Sequence, residues 1–178
     1  MPCLAVGCRA LLGLVLAIAV VGKLRGRAEF ARSVRQMNVL PPFLARPVAA
    51  AVVVGELGTV LALAVPTRES GLIGFCLAGA LLSAFTVGIA VSLAGGNREP
   101  CRCFGSSDTP LGARHVGRNL VLVAVAMVGC LGSLSASPAD PAIAAMAAVG
   151  GATAGGLVVA LDDLVALFAP VPPAKTNA

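Results

Sequence analysis

Two thiols one residue apart, Cys101 and Cys103, lie in Glu99-Pro100-Cys101-Arg102-Cys103-Phe104-Gly105, the core of the only long polar stretch between two late apolar segments. In an extended chain alternate Cα atoms are roughly 6.6 Å apart, near the upper limit of about 4.4 to 6.8 Å for a disulfide. A bend brings them into range, and Pro100 and Gly105 favour one. A bridge in so small a ring is strained and easily reduced, which is how a working dithiol behaves. Arg102 lies between the thiols, with Arg98, Arg114 and Arg118 close by, and neighbouring cations favour the thiolate. Two other readings stay open: half of a metal site, or loop thiols with no chemistry. Zinc sites usually show two Cys or His pairs at ligand spacing. This chain has one histidine, His115, twelve residues on, so no metal is assigned.

A second candidate stands inside an apolar run. Glu56, between Gly55 and Leu57, falls halfway along a stretch long enough to span a bilayer, where a carboxylate costs roughly 2.5 to 3.5 kcal/mol on insertion scales. It must be protonated, paired or turned to a polar cavity. Proton handling is the functional reading; a protonated carboxyl hydrogen-bonded to a neighbouring helix is the structural one. Glu56→Gln, which keeps size and hydrogen bonding, is expected to insert normally.

The elements that hold these groups are membrane helices. Of the 178 residues 58% are hydrophobic and 12% charged, with mean hydropathy +0.95, a membrane composition. There is no Trp or Tyr, so anchoring at the interface falls to Arg and Lys instead of an aromatic belt. The net charge of +5 sits mostly between apolar segments, which is explained by membrane topology and excludes nucleic acid as a partner. The expected fold is an all-α bundle of four to five transmembrane helices over residues 1–169, followed by a disordered tail, 170–178.

Five apolar runs are legible. The first, Leu4 to Val21, is followed by Lys23, Arg25 and Arg27; a signal peptide carries its charge before the apolar core, so this run reads as a retained helix. A basic connector follows, with a short amphipathic helix around Glu29 to Met37. The second run, Pro47 to Val65, begins with proline where a helix start tolerates it. The third, Gly71 to Ala94, has small faces at Gly71, Gly74, Ala78 and Gly79 and is ended by Gly95-Gly96-Asn97. The fourth runs from Gly117 to Ser135. The fifth, Ala142 to Leu161, carries Gly151 and Gly155 as a GxxxG packing motif and is closed by Asp162 and Asp163.

Charge sets an expected orientation in the cell membrane. With the amino terminus outside, eleven Lys and Arg lie inside and only Arg9 and Arg68 outside, as the positive-inside rule requires. The Cys101/Cys103 loop is then cytoplasmic. Cys3, Cys8, Cys76 and Cys130 share the outer side; Cys76 and Cys130, each in an apolar run, read individually as small packing residues. Communication between the two sides needs large motion or a diffusible carrier such as a quinone, the only cofactor this pattern suggests.

Gly22-Lys23-Leu24 after the first helix, Leu40-Pro41 closing the connector, Glu56, Cys101-Arg102-Cys103-Phe104-Gly105 and Arg118-Asn119 occur here in an order that resembles the methylamine-utilisation protein MauE family, a branch of the DoxX-like membrane proteins. The resemblance covers roughly Leu11 to Leu134, and the Cys-x-Cys-Phe-Gly loop with the following Arg-Asn is its most specific part. It implies a multi-pass membrane protein of thiol-disulfide chemistry, needed for processing, transport or maturation of the disulfide-rich small subunit of methylamine dehydrogenase, with a thioredoxin-like protein or that client as partner. It makes Cys101 and Cys103 the redox pair, Phe104 and Gly105 shapers of the turn, and Arg118 and Asn119 supporting residues. Nothing in the chain resembles the dehydrogenase itself. Because that enzyme is periplasmic, the resemblance suggests outward thiols, against the charge count. Two further functions compete: a DoxX-like quinone-linked oxidoreductase subunit with Glu56 handling protons, and a small transporter or structural membrane partner.

Overall fold

A computed structural model describes residues 2–36, 41–96, 113–134 and 140–168. These form six helices, α1 (Pro2–Arg25), α2 (Arg27–Gln36), α3 (Ala45–Ala64), α4 (Arg68–Ala94), α5 (Ala113–Ser133) and α6 (Pro141–Phe168). All but α2 are long and apolar enough to cross a membrane. The expected all-α bundle is therefore present with five spans, and the amphipathic connector helix falls where its pattern predicts.

The bundle is built around α1, which touches every other helix. Leu12, Val15, Leu16 and Ala19 of α1 are wholly or nearly wholly enclosed, against Phe75, Ala78 and Leu82 of α4 and Leu122 and Ala126 of α5. These positions recur every three or four residues, the signature of one helix face turned inward. On the opposite faces Val54, Leu61, Ile73, Val87, Met127, Leu131 and Met146 are more than half exposed. Lipid tails are as apolar as these side chains, so helix association depends on close packing and not on exclusion of water.

Small residues permit that packing. A Cβ on Gly74 would lie 2.8 Å from Leu63 Cδ2, so this glycine admits α3 against α4. Gly151 sits on the backbone of Gly7, and a Cβ on Gly155 would lie 2.9 Å from the Leu11 carbonyl oxygen. The GxxxG motif thus rides on α1, one turn matching one turn, and the two helices run parallel. α6 packs closely on α1 alone.

The connections are capped locally. Thr67 caps α4, its Oγ1 accepting from Ser70 N at 3.3 Å. Asp140 Oδ1 accepts from Ala142 N at 2.9 Å at the start of α6, with Pro141 in the first helical position, where it lacks only a hydrogen that would go unused. Gly96, at φ 76°, takes the left-handed conformation that ends α4. Two boundaries differ from expectation. α5 begins at Ala113, four residues before Gly117, because Ala113-Arg114-His115-Val116 contains no breaker. α6 continues past Asp162 and Asp163 to Phe168; with no Gly or Pro between Gly156 and Pro170, two carboxylates do not stop a helix.

Candidate functional site: a buried ion pair within the bundle

Glu56 lies on the inward face of α3 with Ala49, Thr59 and Leu63, and 1% of it is exposed. Its counter-ion is Lys23 of α1, whose Nζ donates to Glu56 Oε1 at 2.6 Å. Lys23 belongs to the last turn of α1, and helical side chains lean toward the amino terminus of their helix. The ammonium therefore reaches back into the bundle. Of the states left open for Glu56, the structure has the paired one.

Aromatic rings close over the cation. Lys23 Nζ lies 5.3 Å from the centre of the Phe30 ring on α2 and 5.2 Å from that of Phe85 on α4, within the range of a cation–π attraction. Lys23 and Phe30 are 2% and 3% exposed. Thr59, one turn along from Glu56 and fully enclosed, returns its hydroxyl to the Gly55 carbonyl at 2.7 Å.

α5 brings an amide to the same level. Gly129 packs on Phe75 and Gly79 approaches Ala126, which fixes α4 and α5 in antiparallel register. Ten residues from Phe75 along α4 is Phe85, and ten residues back from Gly129 along α5 is Asn119. Asn119 is fully buried, and among the described residues neither its Oδ1 nor its Nδ2 has a hydrogen-bond partner. Ser92 and His115 are also buried toward this end, and Arg118 is half-buried beside them. A cavity of about 610 Å³ opens between α1, α2 and α3, walled by Lys23, Phe30, Val53 and Leu57 and rimmed by Arg27 and Arg46.

Cys101, Arg102, Cys103, Phe104 and Gly105 lie outside the described residues. α4 ends at Ala94 and α5 begins at Ala113, so the segment carrying the two thiols joins these helices on the side of the bundle from which Lys23 reaches inward, roughly 14 Å along α4 from Phe85 at 1.5 Å per residue. The structure thus sets Glu56 and Asn119, with Arg118 next to it in sequence, at adjoining levels of the bundle.

Lys23, which by its place in the sequence reads as an interfacial anchor, is a core residue. Its signal was available, because Leu12, Leu16, Ala19 and Lys23 continue one three-and-four spacing, but the neighbouring Arg25 and Arg27 hide it in a basic cluster. Phe30 and Phe85 carry no comparable signal.

A sequence model described as "Methylamine utilisation protein MauE" matches residues 1–132. The chain belongs to the MauE family. It is similar to the "Methylamine utilization protein MauE" of Methylophilus methylotrophus, with 34% identity over 129 residues, covering 71% of this chain and 67% of that protein. No solved structure matches. The MauE match takes in α1 to α5 almost to the last residue and stops short of α6. The ion pair and its aromatic lid therefore sit wholly inside the matched portion, while α6, docked on the first helix, lies outside it.

Proposed function

We propose that this chain is a membrane thiol-disulfide exchange factor of methylamine utilisation, acting in the processing, transport or maturation of the disulfide-rich small subunit of methylamine dehydrogenase. Cys101 and Cys103 are its redox pair. In the exchange a thiolate of the pair attacks the client's disulfide, the released client sulfur takes up a proton, and the second thiolate resolves the mixed disulfide. Two S–H bonds of the protein become two of the client, and one S–S bond moves the other way, so no added oxidant is needed.

The observation that carries this reading is the buried Lys23–Glu56 pair, whose lysine reaches in from the side of the bundle where the thiol-bearing segment attaches. Each half-reaction moves protons, and a buried ionisable pair is a local place to hold one. Arg118 and Asn119 open the helix that follows the thiols, and Arg102 between them favours the thiolate.

The orientation belongs to the same proposal: amino terminus outside, Cys101 and Cys103 toward the cytoplasm, in the cell membrane. It is supported by the use of the two exceptions to the charge count. Arg9 donates to the carbonyls of Val65, at 2.8 Å, and Thr67, and Arg68 to that of Leu134 at 3.3 Å. Both cations serve helix carboxyl ends, where positive charge is favourable.

The test is acid-trapped alkylation of Cys101 and Cys103 in cells, followed by a mobility shift. The pair is expected to be partly oxidised and to shift when the client is absent. One thiol is expected to alkylate faster than a free cysteine of pKa about 8.5, and Arg102→Glu to slow it. If neither thiol reacts faster and no bridge forms under oxidising conditions, the redox reading fails. A second reading, a quinone-linked oxidoreductase subunit, is favoured by the 610 Å³ cavity beside Lys23; dependence on Glu56 with dispensable loop thiols would select it.

A further inference from the structure

The opposite end of the bundle holds a second pair of thiols. Cys76 is the ninth residue of α4, and Cys130 lies three residues before the last of α5. The register that sets Phe75 on Gly129 and Gly79 near Ala126 also sets Cys76 beside Cys130. Each thiol thus lies within electrostatic reach of the other across the seam. Gly129 is what allows this, since a Cβ there would collide with the Phe75 ring and push α5 away from α4. Cys130 is half-buried in the seam, and Cys76 is exposed on the lipid side of the bundle.

We propose that Cys76 and Cys130 are a second redox-active dithiol, oxidised within the bilayer to a disulfide by a lipid-soluble two-electron acceptor of the quinone class. The reactant follows from the location, because a thiol facing hydrocarbon meets only what dissolves there. In the reaction two S–H bonds break and one S–S bond forms. Both electrons and both protons pass to the quinone, which leaves as the quinol. Disulfide closure across two helices requires close Cα atoms, about 4.4 to 6.8 Å, which the glycine-drawn seam favours. Cys76 is roughly 27 Å along α4 from Ala94 at 1.5 Å per residue, so this pair does not exchange directly with thiols attached beyond that end. The inference goes beyond the proposed function and does not depend on it.

The experiment uses the full chain in native membrane vesicles, as the C101S/C103S variant, reduced, washed and then given decylubiquinone. After acid quenching, free thiols are blocked with one maleimide, bridges are reduced, and the released thiols are labelled with a heavier one for mass spectrometry. Cys76 and Cys130 are expected to acquire the heavy label together, their first-step alkylation falling about tenfold, a change in equilibrium ratio equal to roughly 30 mV. Oxidised glutathione at the same concentration is expected to leave both alkylatable, and C76S to leave Cys130 alkylatable with either oxidant. Persistent alkylation of both thiols in decylubiquinone overturns the proposal, as does a bridge from Cys130 to Cys8. Should C101S/C103S not accumulate, the wild-type chain read peptide by peptide gives the same decision. Because the variant lacks the loop thiols, failure here leaves the proposed function standing, and the reverse also holds.

Discussion

Taking one charge from the Lys23–Glu56 pair leaves the other buried without a counter-ion, at a cost of about 3 to 5 kcal/mol, whereas replacing both by apolar residues of similar volume is often neutral. Lys23→Met and Glu56→Leu are each expected to lower stability by that amount, and K23M/E56L to recover most of it, measured by loss of helicity as purified protein is titrated with a denaturing detergent. Additive single and double changes would mean that the two residues do not stabilise one another. Glu56→Gln changes meaning as well: harmless when the carboxylate is considered alone, it now strands an ammonium between Phe30 and Phe85 and is expected to destabilise. At this scale the sequence was half legible. A carboxylate in an apolar run announces itself, because nothing nearby explains it. A lysine at the end of such a run looks like an ordinary interfacial anchor, and only its spacing from Leu16 and Ala19 tells otherwise. Cys76 and Cys130 were each legible as a cysteine in a helix, but a contact between α4 and α5 depends on their register, which neither helix encodes by itself.

Between helices, the seam of α6 on α1 gives the sharpest contrast. Gly151 and Gly155 meet the backbone of α1, while Gly150 and Gly156, their sequence neighbours, have open space where a Cβ would go. Gly151→Leu is expected to destabilise by about 1 to 3 kcal/mol through overpacking, and Gly156→Leu to leave stability unchanged, by the same detergent titration. Equal effects would mean that α6 does not sit on α1 through this face. The motif was legible because small residues four apart have one obvious use in an apolar helix. Its partner was not, since any of four other spans could have offered a matching ridge. Likewise α6 outlasting Asp162 and Asp163 shows that a pair of charges marks a change of surroundings more reliably than a helix end.

The molecule as a whole is asymmetric from end to end. Arg27, Arg32, Arg35 and Arg46 gather around α2 and the start of α3, lining the cavities there, whereas the far end has Arg9 and Arg68, both engaged with carbonyls. A membrane-impermeant maleimide is expected to label Cys3 in intact cells and to reach Cys101 and Cys103 only once the membrane is opened; labelling of the loop pair in intact cells would reverse the orientation. Membrane character and span number were legible because twenty-residue apolar runs have few alternatives; the position of α1 at the centre was not, because all five runs are similarly apolar. That centrality bears on how the protein is made. Lys23, buried, and Arg9, half-buried, find their partners on α3 and the turn behind it: Glu56, 33 residues after Lys23, and the carbonyls of Val65 and Thr67. A nascent chain halted before Glu56 offers neither cation anything. The helix synthesised first therefore completes its polar contacts only after a later one has left the ribosome, and released chains ending at residue 50 should hold α1 less firmly against alkaline extraction than released chains ending at residue 95.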